Sequence, residues 1–455
     1  MMKRVFVFVA LALLLSTRSE AAKAPNIIMI LADDMGWADT GYAGSKIDTP
    51  TLDRLAKEGV MLTRAYASAP MCSPTRAALL TGRYPHSVGM PELASPTQRG
   101  NVPPLSLSHE AVTIPEALKP AGYRSILVGK WHLGHESKSW PRTHGFDEFW
   151  GSLIGTPMFW QVKETYHNET PITVQGHYTD TLTDQAVAYL RNHPREQGPL
   201  FLYLAYNAPH YPLEAPAELV YKYRRRFPKD GLFAVYAGMV EQMDTGIGRV
   251  LATLDELGIA KDTLVVFTSD NGPSAEPNAY GPDGANLSNG PLREYKFSMH
   301  EGGIRVPFVA RWPGRIPAGT VRHEPVVTMD LMPTFLEAAG VAAKPEMHGR
   351  SALPLLTGGS FHRPEALHWE TLHNAGVLRG EWKLVYQYWA KRPFLYRLEN
   401  DIGEKNDISE KHPEVVKELM ALHETWKARH YPNPIPRATS LSSYMFPEAD
   451  KSLAR

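Results

Sequence analysis

Cysteine is nearly absent from this sequence: Cys72 stands alone among 455 residues. That excludes an internal disulfide, so stability must come from a large buried core, which a chain of this length readily supplies. Excess charge is absent as well, since 48 basic residues balance 48 acidic ones. There is no basic footprint for nucleic acid or an anionic membrane, and any anion recognised must be read by local groups. Long apolar runs are scarce. The N-terminal run at residues 5–15 falls well short of the roughly 20 residues of a spanning helix. With Lys3 and Arg4 before it and Ser19-Glu20-Ala21 after it, residues 1–22 read as an export signal. A secreted or periplasmic protein without a membrane anchor is expected. In an oxidising compartment a lone thiol is a liability unless it is buried, modified or used.

Cys72 opens the stretch from Met71 to Arg83. Ser73 is suited to cap a helix, Pro74 to its first position and Gly82 to its end. The thiol is therefore expected just outside a helix N-terminus, where free N–H groups and the helix dipole favour negative charge. Arg76 follows one turn on. The alternative for such a cysteine is a small buried apolar side chain.

Four apolar runs, at residues 26–31, 123–128, 200–206 and 263–268, read as strands buried on both faces. Their ends carry Asp33-Asp34, Lys130 with His132, His210, and Asp270-Asn271. Helical patterns at 49–59, 113–121, 233–257 and 329–339 alternate with strands, which argues an α/β fold with a mostly parallel sheet covered on both faces. Such sheets bind ligands beyond the carboxyl ends of their strands. Residues 289–307 read as a loop carrying Lys296 and ending in a sharp turn at Gly302-Gly303. Residues 23–360 form the large unit. Residues 361–455 form a small α+β unit, with antiparallel strands at 382–388 and 394–398, a helix at 413–430, and a Pro- and Ser-rich tail. The sequence shows no internal repeat.

Adjacent carboxylates such as Asp33 and Asp34 repel by about 4 kcal/mol at an effective dielectric near 20, unless water or a cation separates them. Asp33, Asp34, Asp270 and Asn271 are all oxygen donors. That set suits a hard divalent cation, Ca²⁺ ahead of Mg²⁺, whereas Zn²⁺ prefers His or Cys. Arg76, Lys130, His132, His210 and Lys296 can gather around it, so the substrate class is a compact oxyanion ester. The cation and lysines would stabilise charge on the transferring group while a histidine protonates the leaving alcohol.

Cys72-Ser73-Pro74-Thr75-Arg76, followed by Leu79-Leu80-Thr81-Gly82-Arg83, resembles the signature of the type I sulfatases, whose cysteine is oxidised to Cα-formylglycine. The likeness extends over most of the chain. It includes Leu31-Ala32-Asp33-Asp34-Met35-Gly36, Gly129-Lys130-Trp131-His132-Leu133-Gly134, Ala208-Pro209-His210 and Ser269-Asp270-Asn271-Gly272. Lys296 with Glu301-Gly302-Gly303-Ile304-Arg305 completes it. Thr75 stands where many members have serine, and keeps the hydroxyl. Residues 288–292 and 144–149 are similar to the arylsulfatase A and N-acetylgalactosamine-6-sulfatase branch.

The resemblance implies an alkaline-phosphatase-like fold, with a large mixed sheet and a small C-terminal antiparallel sheet bearing one helix. It implies that Asp33, Asp34, Asp270, Asn271 and modified Cys72 ligate calcium. Arg76 and His132 would hold the hydrated aldehyde of residue 72, while Lys130, His210 and Lys296 would bind the sulfate. The expected partners are a formylglycine-generating maturation enzyme and a sulfated carbohydrate or aryl sulfate substrate. Ser152 is a candidate second sulfate contact, and Trp160, Tyr166, His177 and His300 are candidate sugar-pocket residues. Two rival functions share the fold: a phosphomonoester or phosphonate hydrolase, and a catalytically silent glycan-binding protein.

Overall fold

Strand β1 (Asn26–Ala32) alternates between two cores. Ile27, Met29 and Leu31 pack into one, and Ile28, Ile30 and Ala32 into the other. Fully burying an aliphatic side chain of this size contributes about 1.5–3 kcal/mol, so a run of six fixes the strand firmly between two layers. This computed structural model describes residues 24–99, 102–155, 158–160, 162, 164–274 and 288–435. The expected export signal at 1–22 lies outside the described residues, as does the tail from 436.

The remaining strands are β2 (Val60–Leu62), β3 (Ala65–Tyr66), β4 (Arg124–Lys130), β5 (Glu148–Ser152), β6 (Thr165–His167), β7 (Thr170–Ile172), β8 (Leu200–Ala205) and β9 (Thr263–Ser269). They continue with β10 (Phe308–Arg311), β11 (Thr320–Arg322), β12 (Val326–Val327), β13 (Leu367–Glu370), β14 (Asn374–Arg379), β15 (Trp382–Gln387) and β16 (Arg392–Arg397). Ten of them form one sheet in the order β11-β2-β10-β9-β1-β8-β4-β5-β6-β7. The five central strands from β9 to β5 are parallel, and antiparallel pairings flank them on both sides. Helices Cys72–Thr81 and Leu331–Ala338 cover one face; Tyr178–Asn192 and Gly231–Glu256 cover the other.

The register levels the strand ends. Leu31 pairs with Ala205 and Thr268, Ala32 with Ser269, Gly129 with Ala205, and Lys130 with Ser152. Asp33, Lys130, Asn207 and Asp270 therefore leave the sheet along one edge. Gly129 permits this closeness: its φ is +114°, and a Cβ there would stand 1.9 Å from the Ala205 carbonyl oxygen. Strands β13 to β16 form a separate antiparallel meander. Val377, Leu384 and Leu395 of that meander bury against Leu419 of helix Pro413–His430.

The expected α/β class, with its small C-terminal antiparallel sheet and helix, is the observed one. Local details differ. The helix at Cys72 begins on that residue, with extended Met71 as its cap, so Ser73 does not cap it. The Ser73 hydroxyl instead accepts the Ala94 N–H at 3.0 Å. Gly82 ends the helix as expected, at a φ of 64°.

Candidate active site

Six segments bring polar side chains to the carboxyl edge of the parallel strands. β1 delivers Asp33 and Asp34, β4 delivers Lys130, and β9 delivers Asp270 and Asn271. The turn after β8 carries His210, helix Cys72–Thr81 presents Cys72 and Arg76, and the loop before Glu301 adds Lys296. All but the partly exposed His210 lie inside the protein; Asp33, Arg76, Lys130, Asp270 and Asn271 are completely buried. Ions in such a place persist only when paired.

The pairing is nearly complete. Lys130 Nζ reaches Asp33 Oδ2 at 2.6 Å. Lys296 Nζ sits 2.7 and 2.9 Å from the two oxygens of Asp34, and His210 Nε2 is 3.5 Å from Asp34 Oδ2. Arg76 donates twice to Asp270 Oδ2, at 2.7 and 3.0 Å, and once to the Lys130 carbonyl at 3.1 Å. Asn271 Nδ2 donates to Asp34 Oδ1 at 2.6 Å. Cys72 Sγ is 3.4 Å from Asp33 Oδ1. One ligand atom each from Asp33, Asp34, Cys72 and His210 lies within 4.8 Å of the others.

Electrostatics follow from burial. It pushes the Cys72 thiol up to about 12, against the pull of Lys130 and Lys296, so the sulfur is a neutral thiol at physiological pH. Burial also opposes ionisation of Asp33, but Lys130, His210, Arg76 and Lys296 outweigh it and hold that carboxyl below the usual range. For Asp270, burial and the charge on Asp33 push the pKa up despite Arg76. Burial lowers His132 and His210; the cations of Lys130 and Arg76 add to this at His132, while Asp34 opposes it at His210.

The oxygen donors fit a divalent cation. Asn271 Oδ1 is buried with no hydrogen-bond partner among the described residues, and its Nδ2 meets Asp34 Oδ1 at 2.6 Å. A cation there would relieve the repulsion between Asp33 and Asp270. Lys130 and Lys296 now neutralise the carboxylates that would share it.

The structure brings Asp33, Asp34, Cys72, Arg76, Lys130, His132, His210, Asp270, Asn271 and Lys296 to this edge, but not the candidate sulfate contact Ser152 or the candidate sugar-pocket residues. His132 adopts a left-handed φ of 57°. Its Nε2 faces the Ala94 carbonyl at 3.2 Å, and buried Nδ1 has no partner among the described residues. The hydroxyl of Thr75 is engaged by the backbone of Ala69, at 2.9 and 3.1 Å. Ser152 turns its hydroxyl to the backbone of Ile154 instead of to the site. His300 is buried against Glu294 and Glu404, so it is a packing residue. Trp160 sets its edge on His177, and Tyr166 packs on Trp140. Two supports escaped sequence reading. Ser269 Oγ bridges the Met35 N–H and the Asn271 carbonyl, both at 2.9 Å. Asn207 is buried with neither side-chain polar atom partnered among the described residues; its place just after an apolar strand was the available signal.

A sheet of this topology with ions gathered at its carboxyl edge defines a hydrolase of the alkaline-phosphatase-like class. The chain belongs to the Sulfatase family, whose sequence model matches residues 25–341; a second model, N-sulphoglucosamine sulphohydrolase, C-terminal, matches residues 294–429. It is a sulfuric ester hydrolase. The N-acetylgalactosamine-6-sulfatase of Canis lupus familiaris is 35% identical over 395 residues, covering 81% of this chain and 73% of its own. The steryl-sulfatase of Mus musculus is 32% identical over 468 residues, covering 80% and 71%. Among solved structures, Ps i-CgsB in complex with k-i-k-neocarrahexaose superposes with a TM-score of 0.82 at 31% identity, covering 95% of this chain and all of the other.

Proposed function

We propose that the protein is an exported, calcium-dependent glycan sulfatase whose nucleophile is the hydrated formylglycine made from Cys72. The observation that carries the nucleophile is the place of residue 72, buried with its sulfur 3.4 Å from Asp33 Oδ1 and beside the cations that pair with that carboxylate. Buried and neutral, the thiol is a poor attacking group, yet it stands among Asp33, Arg76 and Lys130 at the centre of the ion cluster. An aldehyde hydrate at this position supplies an oxygen nucleophile that needs no ionised sulfur.

One hydroxyl of the hydrate gives its proton to the neighbouring carboxylate of Asp33, whose Oδ1 lies 3.4 Å from the residue-72 sulfur, and attacks sulfur as the S–O bond to the sugar breaks. His210 or Lys296, both beside Asp34, gives the departing oxygen its proton. The second hydroxyl then loses its proton, the C–O bond to sulfate breaks, and the aldehyde returns. Unpartnered Nδ1 of His132 is the acceptor suited to that proton. Lys130 and Lys296 hold the sulfate oxygens. A bound Ca²⁺ would further polarise those oxygens, and Asp33, Asp34, Asp270, Asn271 and residue 72 would hold it.

Glycan as substrate is supported by the names of relatives: an N-acetylgalactosamine-6-sulfatase at 35% identity and a saccharide complex at 31%. Export is supported by the sequence of residues 1–22, and no helix among the described residues is long and apolar enough to cross a membrane. The test combines mass spectrometry of the peptide spanning residue 72 with sulfate release from a panel of regiodefined sulfated saccharides. The expected result is an aldehyde that reacts with hydrazide, and release from one saccharide class. An intact thiol in active enzyme overturns the nucleophile; turnover of aryl sulfate with none of any saccharide overturns the substrate.

A further inference from the structure

A cavity of about 550 Å³ opens between the large unit and the end of helix Pro413–His430. It lies past the far end of helix Cys72–Thr81, whose ten residues span about 15 Å, so it is separate from the active site. Arg83, His86, His348, Arg429 and His430 line it, and no Asp or Glu does. Most described arginines face a carboxylate; among the described residues none lies within 4.0 Å of Arg83 or Arg429. Nε of Arg83 is buried without a partner among them.

His348 is held as a neutral donor. The Tyr84 N–H donates to His348 Nδ1 at 3.0 Å, which leaves the proton on Nε2. Burial, the neighbouring His430 and the guanidiniums of Arg83 and Arg429 together lower His348 to about 3, and burial with the same two guanidiniums lowers His430 to about 4. The rings pack into one cluster: His348 and His430 meet edge-on with centroids 4.3 Å apart, and Tyr84 lies tilted at 5.4 and 5.2 Å from them. Pro91, Pro103 and Leu105 add an apolar wall. Cations in the last turn of a helix ordinarily offset its dipole, which would explain Arg429 and His430. It does not explain Arg83 and His348, which come from other elements and meet them without a counter-charge.

We propose that this pocket is a second oxyanion site, which holds a sulfate group of a saccharide outside the bond being cleaved. Two unpaired guanidiniums supply the forked donors that suit sulfate. The volume lies within the roughly 300–1,000 Å³ of small-ligand pockets, far more than one bare anion fills, and the rings and prolines offer faces for sugar C–H groups. Only the carrier, a glycan, rests on the function proposed above.

The test is calorimetric titration of the full chain bearing Cys72→Ala, which binds without turnover. The probes are a sulfated heparin hexasaccharide, its desulfated counterpart and inorganic sulfate. The expected result is that Arg429→Gln weakens the sulfated hexasaccharide at least tenfold and His430→Gln several-fold, with the desulfated form bound by none. Arg429 is exposed and His430 half-buried in the final helical turn, and circular dichroism checks that each variant is folded. Unchanged affinity in both variants overturns the proposal. So does inorganic sulfate that matches the hexasaccharide in affinity, an outcome that makes this an ion site only. If the hexasaccharide binds through Arg429 yet wild-type enzyme releases no sulfate from any saccharide, the pocket stands and the glycan-substrate reading falls.

Discussion

Arg76 places two nitrogens on a single oxygen of Asp270, at 2.7 and 3.0 Å, while its third donates to the Lys130 carbonyl at 3.1 Å. One guanidinium thus ties the ends of β4 and β9 to the helix that carries Cys72. Lysine keeps the charge but lacks the planar fork and cannot make all three bonds. Arg76→Lys is expected to cost about 1.5–3 kcal/mol, the range for a lost hydrogen bond to a charged group, and to reduce aryl sulfate turnover at least a hundredfold. Urea denaturation and initial rates measure the two effects. A variant that retains both would show that charge alone, not the fork, joins these strands.

Calcium is expected to act on stability as well as on rate. Without it, Lys130 and Lys296 hold Asp33 and Asp34, and Asn271 Oδ1 has no partner among the described residues. A cation that binds only the folded state stabilises it by about 2.7 kcal/mol at a hundred times its dissociation constant. Melting of chelated protein should therefore shift upward with Ca²⁺, less with Mg²⁺, and not at all in Asn271→Ala. An equal shift in that variant would remove Asn271 from the ligand set.

Much of this edge was legible in the sequence because its strands are apolar on both faces and end abruptly in charge. Residues 26–31 could be little else than a central strand, and Asp33-Asp34 had to leave it together. Cys72, Arg76 and Lys296 were readable through motif. What escaped depends on contacts between distant segments. The cap assigned to Ser73 fails because Ala94, remote in sequence, takes its hydroxyl. Strands β5 to β7 and β13 to β14 are short or broken by glycine and proline, so no apolar run announces them. His300 looked available for a sugar pocket, but Glu404, a hundred residues away, encloses it.

The C-terminal meander is joined to the loop beside Lys296 by a buried ion cluster. Glu301 Oε1 accepts from Lys383 at 2.8 Å, and its Oε2 meets the Tyr66 hydroxyl at 3.0 Å and Arg305 at 3.2 Å. Glu301 and Lys383 are both fully buried. Glu301→Gln leaves buried Lys383 with only the more distant Glu404 carboxylate, 3.8 Å away, and is expected to cost roughly 3–5 kcal/mol. Adding Lys383→Met should recover part of that loss, because the stranded charge is then gone. Additive losses in the double variant, measured by denaturation, would mean that the two side chains act independently.

Asp39 gives the pH dependence. It is completely buried, and its Oδ2 accepts the Gly36 N–H at 2.6 Å and the Tyr236 hydroxyl at 2.5 Å. The same Tyr236 oxygen lies 3.1 Å from the Asp34 carbonyl, so this carboxyl braces the turn that aims the paired aspartates. Burial outweighs those hydrogen bonds and raises its pKa from 3.8 to about 7. Between these values the folded state keeps a proton that the unfolded chain has released. The folded state binds more protons, so stability falls as pH rises across that window, by roughly 4 kcal/mol at most. Asn cannot titrate and keeps a carbonyl oxygen for the Gly36 N–H. Denaturation of wild type and Asp39→Asn at intervals from pH 4 to pH 7.5 should therefore give curves that diverge, with the wild type losing ground as pH rises. Parallel curves would mean that Asp39 is ionised in the folded protein throughout, held so by its two donors.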